Sequence, residues 1–87
     1  EKDLQGLLTD ISNTLTKIDK WFTNRIKKDA YFFYNKELFE MYYYQNLTYK
    51  DIEKLTGIKS VSAFHNVKST VNMIQEELHI LPLTLLN

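Results

Sequence analysis

The residues able to do chemistry in this chain are few, and their types point away from catalysis. There is no cysteine, which excludes disulfides and thiolate metal sites. Two histidines, His65 and His79, are too few for a His-rich metal site, and His65 has no second ligand at suitable spacing. The adjacent acids Glu76 and Glu77 have no base or metal ligand beside them. A Gly-rich phosphate loop, a G-x-S-x-G elbow and an H-E-x-x-H pair are all missing. Neither an enzyme nor a cofactor is expected. What the chain does hold is a run of small hydrogen-bonding side chains: Ser60, Ser62, His65, Asn66 and Ser69. Asn pairs bidentately with adenine, and Ser exchanges hydrogen bonds with several bases. Lys50, Lys59 and Lys68 stand where phosphates would flank a groove, and Thr48 joins them. From Gly57 to Asn72 there are two lysines and no acid, a local surplus that the zero net charge hides.

These residues need elements to position them. Thr48 makes a good N-cap, with Asp51 three residues on, close to the capping-box pattern. A short helix from Tyr49 to about Thr56 follows, with Ile52 and Leu55 expected to face inward. Gly57 stops it, since glycine takes the left-handed conformation at a helix end without strain. Ile58 is the buried residue of the turn, and Ser60 is expected to cap the next helix. That helix carries Ala63, Val67, Val71, Ile74 and Leu78 at intervals of 4, 4, 3 and 4, an inward stripe running to Leu78. The polar set Ser60, Ser62, His65, Asn66 and Ser69 then points outward, and Phe64 is expected half-buried against the preceding helix. Two helices joined by a tight Gly-containing turn make a helix-turn-helix unit. Its expected partner is double-stranded DNA.

The run "LFEMYYYQNLTYKDIEKLTGIKSVSAFHNVKSTVNMIQEEL", Leu38 to Leu78, resembles region four of the sigma-seventy family and phage-encoded proteins with sigma-like helix-turn-helix domains. The matching features are an aromatic-rich helix ending in Tyr-Tyr, a short polar turn, Thr-Tyr-Lys-Asp-Ile, Gly57-Ile58, a Ser-containing cap and a long recognition helix. The resemblance covers about half the chain and implies promoter DNA and RNA polymerase as partners. Two positions depart from it. Glu53 stands where the family often has a small residue, so it is expected to point outward or to loosen the helix crossing. Phe64, His65 and Asn66 replace the basic side chains of many relatives.

Upstream, Leu4, Leu8, Ile11, Leu15, Ile18 and Phe22 are spaced 4, 3, 4, 3, 4, the seam of a heptad repeat. Leu7, Trp21 and Ile26 widen it. Residues 1–28 are therefore expected to form an amphipathic, oligomerising helix, although packing on the chain's own domain is the alternative. Lys17, Lys20, Arg25, Lys27 and Lys28 against Asp19 alone give a local surplus of four positive charges, either a solvated face or a phosphate-facing strip. An aromatic-rich helix from about Asp29 to Gln45 should fill the core through Phe32, Leu38, Phe39, Tyr42 and Tyr43. The helix-turn-helix domain spans 29–78, and 79–87 is an apolar tail in which Pro82 ends any helix. That tail is expected to fold back or to dock on a partner.

Two glycines, one proline and 44% apolar residues favour an all-α fold over a turn-rich sandwich or barrel. No apolar run of about 18 residues exists, so no membrane span is expected, nor is a signal peptide. With no initiator Met before Glu1, the chain is expected to be a fragment or a trimmed product of 87 residues. These features converge on a non-enzymatic helix-turn-helix DNA-binding protein, a sigma-like or phage transcription regulator in the bacterial cytoplasm. One alternative is the small terminase subunit of a phage packaging motor, a family in which a helix-turn-helix joined to an oligomerising segment forms a ring. The other is a protein-interaction module that keeps the fold without binding DNA. The expected partners are thus a second copy of the chain, RNA polymerase or a motor subunit, besides DNA.

Overall fold

Helix-forming runs separated by three short breaks fold as an all-α structure in the computed structural model, which describes residues 4–79. The helices are α1 (Leu4–Lys28), α2 (Phe32–Tyr43), α3 (Tyr49–Thr56) and α4 (Ser60–Leu78), with no strand among the described residues.

At about 1.5 Å per residue α1 is roughly 37 Å long. Its second half buries Ile18, Trp21 and Phe22 against Phe39 of α2 and Ile74 of α4. Trp21 meets Phe22 and Phe32 edge-on, with centroids 5.0 and 6.1 Å apart. Its indole Nε1–H donates to Glu77 Oε1 at 2.7 Å, tying α1 to the last turn of α4. The same carboxylate pairs with Arg25, whose guanidinium lies 5.1 Å from the Trp21 ring centroid and 5.3 Å from that of Phe32. Arg25 is therefore withdrawn from the expected basic strip, while Lys17, Lys20, Lys27 and Lys28 remain exposed.

Two residues of the heptad seam need correcting. Ile18 and Phe22 are each 1% exposed in the chain's own core, so they are not free to pack against another chain. Residue 28 is a helix end and not a break in the core. Nearer the N-terminus Leu15 and Ile11 are half-buried and Leu8 is 56% exposed. Leu4 belongs to α1 by its backbone, but its side chain lies outside what is described, as does that of Leu7.

The aromatic-rich helix begins later and ends earlier than the expected Asp29 to Gln45. Asp29 Oδ1 accepts the Tyr31 N–H at 3.0 Å, which builds a turn, and α2 starts at Phe32 without a side-chain cap. Leu38 of α2 joins Ile52 of α3 and Ala63 and Val67 of α4 in a second cluster. Tyr43 and Val71 pack against both clusters, so α2 and α4 carry one continuous interior. Burying such side chains contributes about 1.5–3 kcal/mol each. α4 ends at His79, left-handed at φ 52°. The apolar tail from Ile80 onward, with Pro82, lies outside the described residues.

Candidate nucleic-acid interface

Local chemistry fixes the start of α3. Thr48 Oγ1 accepts the Asp51 N–H, and Asp51 Oδ2 accepts the Thr48 N–H, both at 3.1 Å, completing the capping box. These bonds, the one to the Thr48 backbone foremost, hold the Asp51 carboxyl below the usual carboxylate range. At the other end Gly57 takes φ 80° and its N–H reaches Glu53 O at 2.8 Å. Thr56 Oγ1 donates to Ile52 O at 2.7 Å and accepts the Ile58 N–H at 3.0 Å, which closes the turn.

The start of α4 differs from expectation. Ser60 does not cap it; Lys59 holds the N-cap position and makes no side-chain bond. Glu53, seven residues upstream of Ser60, supplies the acceptor instead, its Oε1 taking the Ser60 N–H at 3.1 Å. The acid that would have had to point outward thus satisfies an orphan amide at the positive end of the α4 dipole. Leu55, expected inside, is 69% exposed.

On the surface, Lys50, Lys59, Ser62, His65, Lys68 and Ser69 are all exposed, as their periodicity required. Ser60 is half-buried beneath Glu53, and the Thr48 hydroxyl serves the cap while remaining on the surface. Asn66 is the correction within this set. Its side chain turns toward α2, where Nδ2 donates to Asn35 Oδ1 at 2.7 Å, while Asn66 Oδ1 is buried without a partner. The reason is geometric: Asn66 borders the inward stripe of Ala63, Val67 and Thr70, and α2 presents an amide opposite it.

An aromatic ladder the sequence did not reveal backs this face. Tyr49 stacks on Tyr42 at 4.4 Å and 11°, and Phe64 meets Tyr49 edge-on at 5.5 Å and 88°. Burial, then the neighbouring Tyr42, raises the pKa of the Tyr49 hydroxyl well above its ordinary value, so it stays a neutral phenol. Lys68 Nζ lies 5.8 Å from the Phe64 ring centroid, within cation–π reach. A shallow groove between the start of α3 and the first turns of α4 is lined by Thr48, Tyr49, Lys50, Ser60, Val61, Phe64 and His65. The signal for Val61 was there: 61, 64, 65 and 68 share one helical face.

Chemically, this surface offers cationic amines, hydroxyls and an imidazole around exposed apolar atoms. Among the described residues no group of three or more His, Asp or Glu could hold a metal ion. No family model matches the chain, and comparison with curated proteins and with solved structures likewise finds no match.

Proposed function

We propose that the chain is a non-enzymatic DNA-binding protein that lays α4 in the major groove of double-stranded DNA, as a sigma-like or phage transcription regulator acting in the bacterial cytoplasm. One observation carries the reading. While Ala63, Val67, Thr70 and Ile74 close the core, the opposite side of α4 exposes Ser62 and His65 between Lys59 and Lys68, and Ser69 just after Lys68, with no acid from Gly57 to Asn72. Hydroxyl and imidazole groups suit base edges, and the lysines suit phosphates. Asp51 and Glu53 do not oppose them freely, because both carboxylates are engaged at helix starts.

Fluorescence anisotropy on random duplexes tests this. With Lys50, Lys59 and Lys68 each neutralising one phosphate, log K falls against log salt with a slope of about −2.7, roughly a 40-fold loss between 50 and 200 mM. Lys59→Ala reduces that slope by about 1. A wild-type slope near zero refutes the reading and leaves a protein-interaction module.

A second reading, a small terminase subunit in a phage packaging ring, is favoured by the exposure of Leu8 in the first half of α1. RNA polymerase is the further partner on the first reading, a motor subunit on the second. A dimer by light scattering supports the regulator, and a ring of many subunits the packaging protein. No helix among the described residues is long and apolar enough to cross a membrane.

A further inference from the structure

We propose that this face reads bases through apolar as well as polar groups, and that Val61 and Phe64 recognise the 5-methyl groups of thymine; the inference rests on the docking of α4 proposed above. Val61 is 65% exposed and Phe64 41%, large apolar side chains that the core does not claim. They are three residues apart on α4, and both line the groove beside Tyr49 and His65. Their exposure is not slack packing, because Ala63 between them is fully buried. The Phe64 ring is also held. Tyr49 braces it edge-on at 5.5 Å, and Tyr49 is itself stacked on Tyr42.

Charge decides which occupant fits. Lys50 on α3, Lys59 at the N-cap of α4 and Lys68 on α4 are exposed, and no acid lies between Gly57 and Asn72, so a polyanion is the complement. Within the major groove the C5-methyl of thymine is the apolar feature that base edges offer. Asn66, which would have given a bidentate contact to adenine, is turned inward to Asn35. Readout therefore falls to the two apolar side chains, with Ser62 and His65 beside them. T-rich sites are the class of target this face would select.

The test starts with selection of preferred duplexes from a random library by the full chain. The selected duplex is then remade with uracil for thymine at one position at a time, which deletes a single methyl group and leaves base pairing intact. Anisotropy should show affinity falling about fourfold at each contacted thymine, the equivalent of one buried methyl-sized group. Val61→Ala, a change at an exposed position that leaves the core untouched, should abolish the effect at one of those positions. Equal affinity for every uracil duplex, or a selected pool without thymine preference, overturns the proposal while the docking of α4 stands. Absence of any duplex binding overturns both.

Discussion

Removing either amide of the Asn35–Asn66 pair breaks the same 2.7 Å hydrogen bond, yet the two truncations should differ in cost. Losing a bond of this kind costs about 0.5–1.5 kcal/mol net, and leaving a buried polar group unsatisfied adds about 1–3 kcal/mol. In the wild type Asn66 Oδ1 is already buried without a partner. Asn66→Ala deletes that orphan along with the bond; it also leaves Asn35 Oδ1 without its donor, but on a half-buried residue, so gain and loss largely offset and the net cost is about 1 kcal/mol or less. Asn35→Ala keeps Asn66 in place and strands its Nδ2 as well, for a cost of about 2–3 kcal/mol. The helix-propensity gain of Asn→Ala is common to both and drops out of the comparison. The double variant should therefore be more stable than Asn35→Ala alone, a coupling that additive bookkeeping would not give. Urea unfolding followed by the fluorescence of buried Trp21 measures all three, and thermal melts should separate the single variants by roughly 4–8 °C per kcal/mol. Asn66→Ala should also leave DNA sequence preference unaltered. Equal destabilisation by the two single variants, or a changed preference in Asn66→Ala, would refute the reasoning.

Glu53→Ala should cost about 1 kcal/mol by freeing the Ser60 N–H, whereas Glu53→Gln, which keeps an acceptor oxygen, should recover most of it in the same urea titration. Equal losses in the two variants would show that the carboxylate does not cap α4. For Asp51, whose pKa is lowered on folding, the contribution is complete above the unfolded carboxylate value and disappears as pH falls through the folded one. The stability gap between wild type and Asp51→Asn should accordingly narrow from pH 5 toward pH 2 in thermal melts; a constant gap would contradict it. Leu8→Asp, at an exposed position, should leave far-UV helicity intact and lower the light-scattering mass at high protein concentration, while Leu15→Asp, half-buried, should lower stability too. An unchanged mass in both would remove α1 from any assembly.

What the sequence revealed follows from the range of the interactions involved. The α3 cap and the Gly57 turn were legible because Thr48, Asp51 and Gly57 act on residues within four positions of themselves. The inward stripe of α4 was legible because periodicity alone places Ala63, Val67 and Ile74 on one side. Thr70 escaped notice although fully buried, because its hydroxyl meets its own need by donating to Asn66 O at 2.9 Å. Asn66 and Glu53 are illegible for a different reason. Their partners lie 31 and 7 residues away, on other helices, and no local pattern says that an amide will face an amide or that an acid will reach across a turn. The heptad seam is visible in the spacing of apolar residues, but periodicity does not say which chain supplies the other side. Ile18 and Phe22 found theirs in Phe39 and Ile74.

That division of α1 bears on how so small a surface could hold DNA. Three lysines imply only a few neutralised phosphates, too few for tight binding by one domain at physiological salt. The seam left over after folding is equally modest. Among the described residues Leu8, Ile11 and Leu15 are three side chains on each of two helices, few against the roughly 1,200 Å² of a stable pair, so on the proposed reading association in free solution should be weak and concentration-dependent. On the proposed reading neither surface suffices alone, but the two are coupled once two copies sit on neighbouring sites. The duplex would then hold the first halves of α1 at high effective concentration, and the seam in turn would hold each α4 on its site, a gain of order 10²–10⁴. On the proposed reading, assembly and DNA binding are therefore a single equilibrium, and a charge placed at Leu8 should weaken DNA binding without touching the face that meets it.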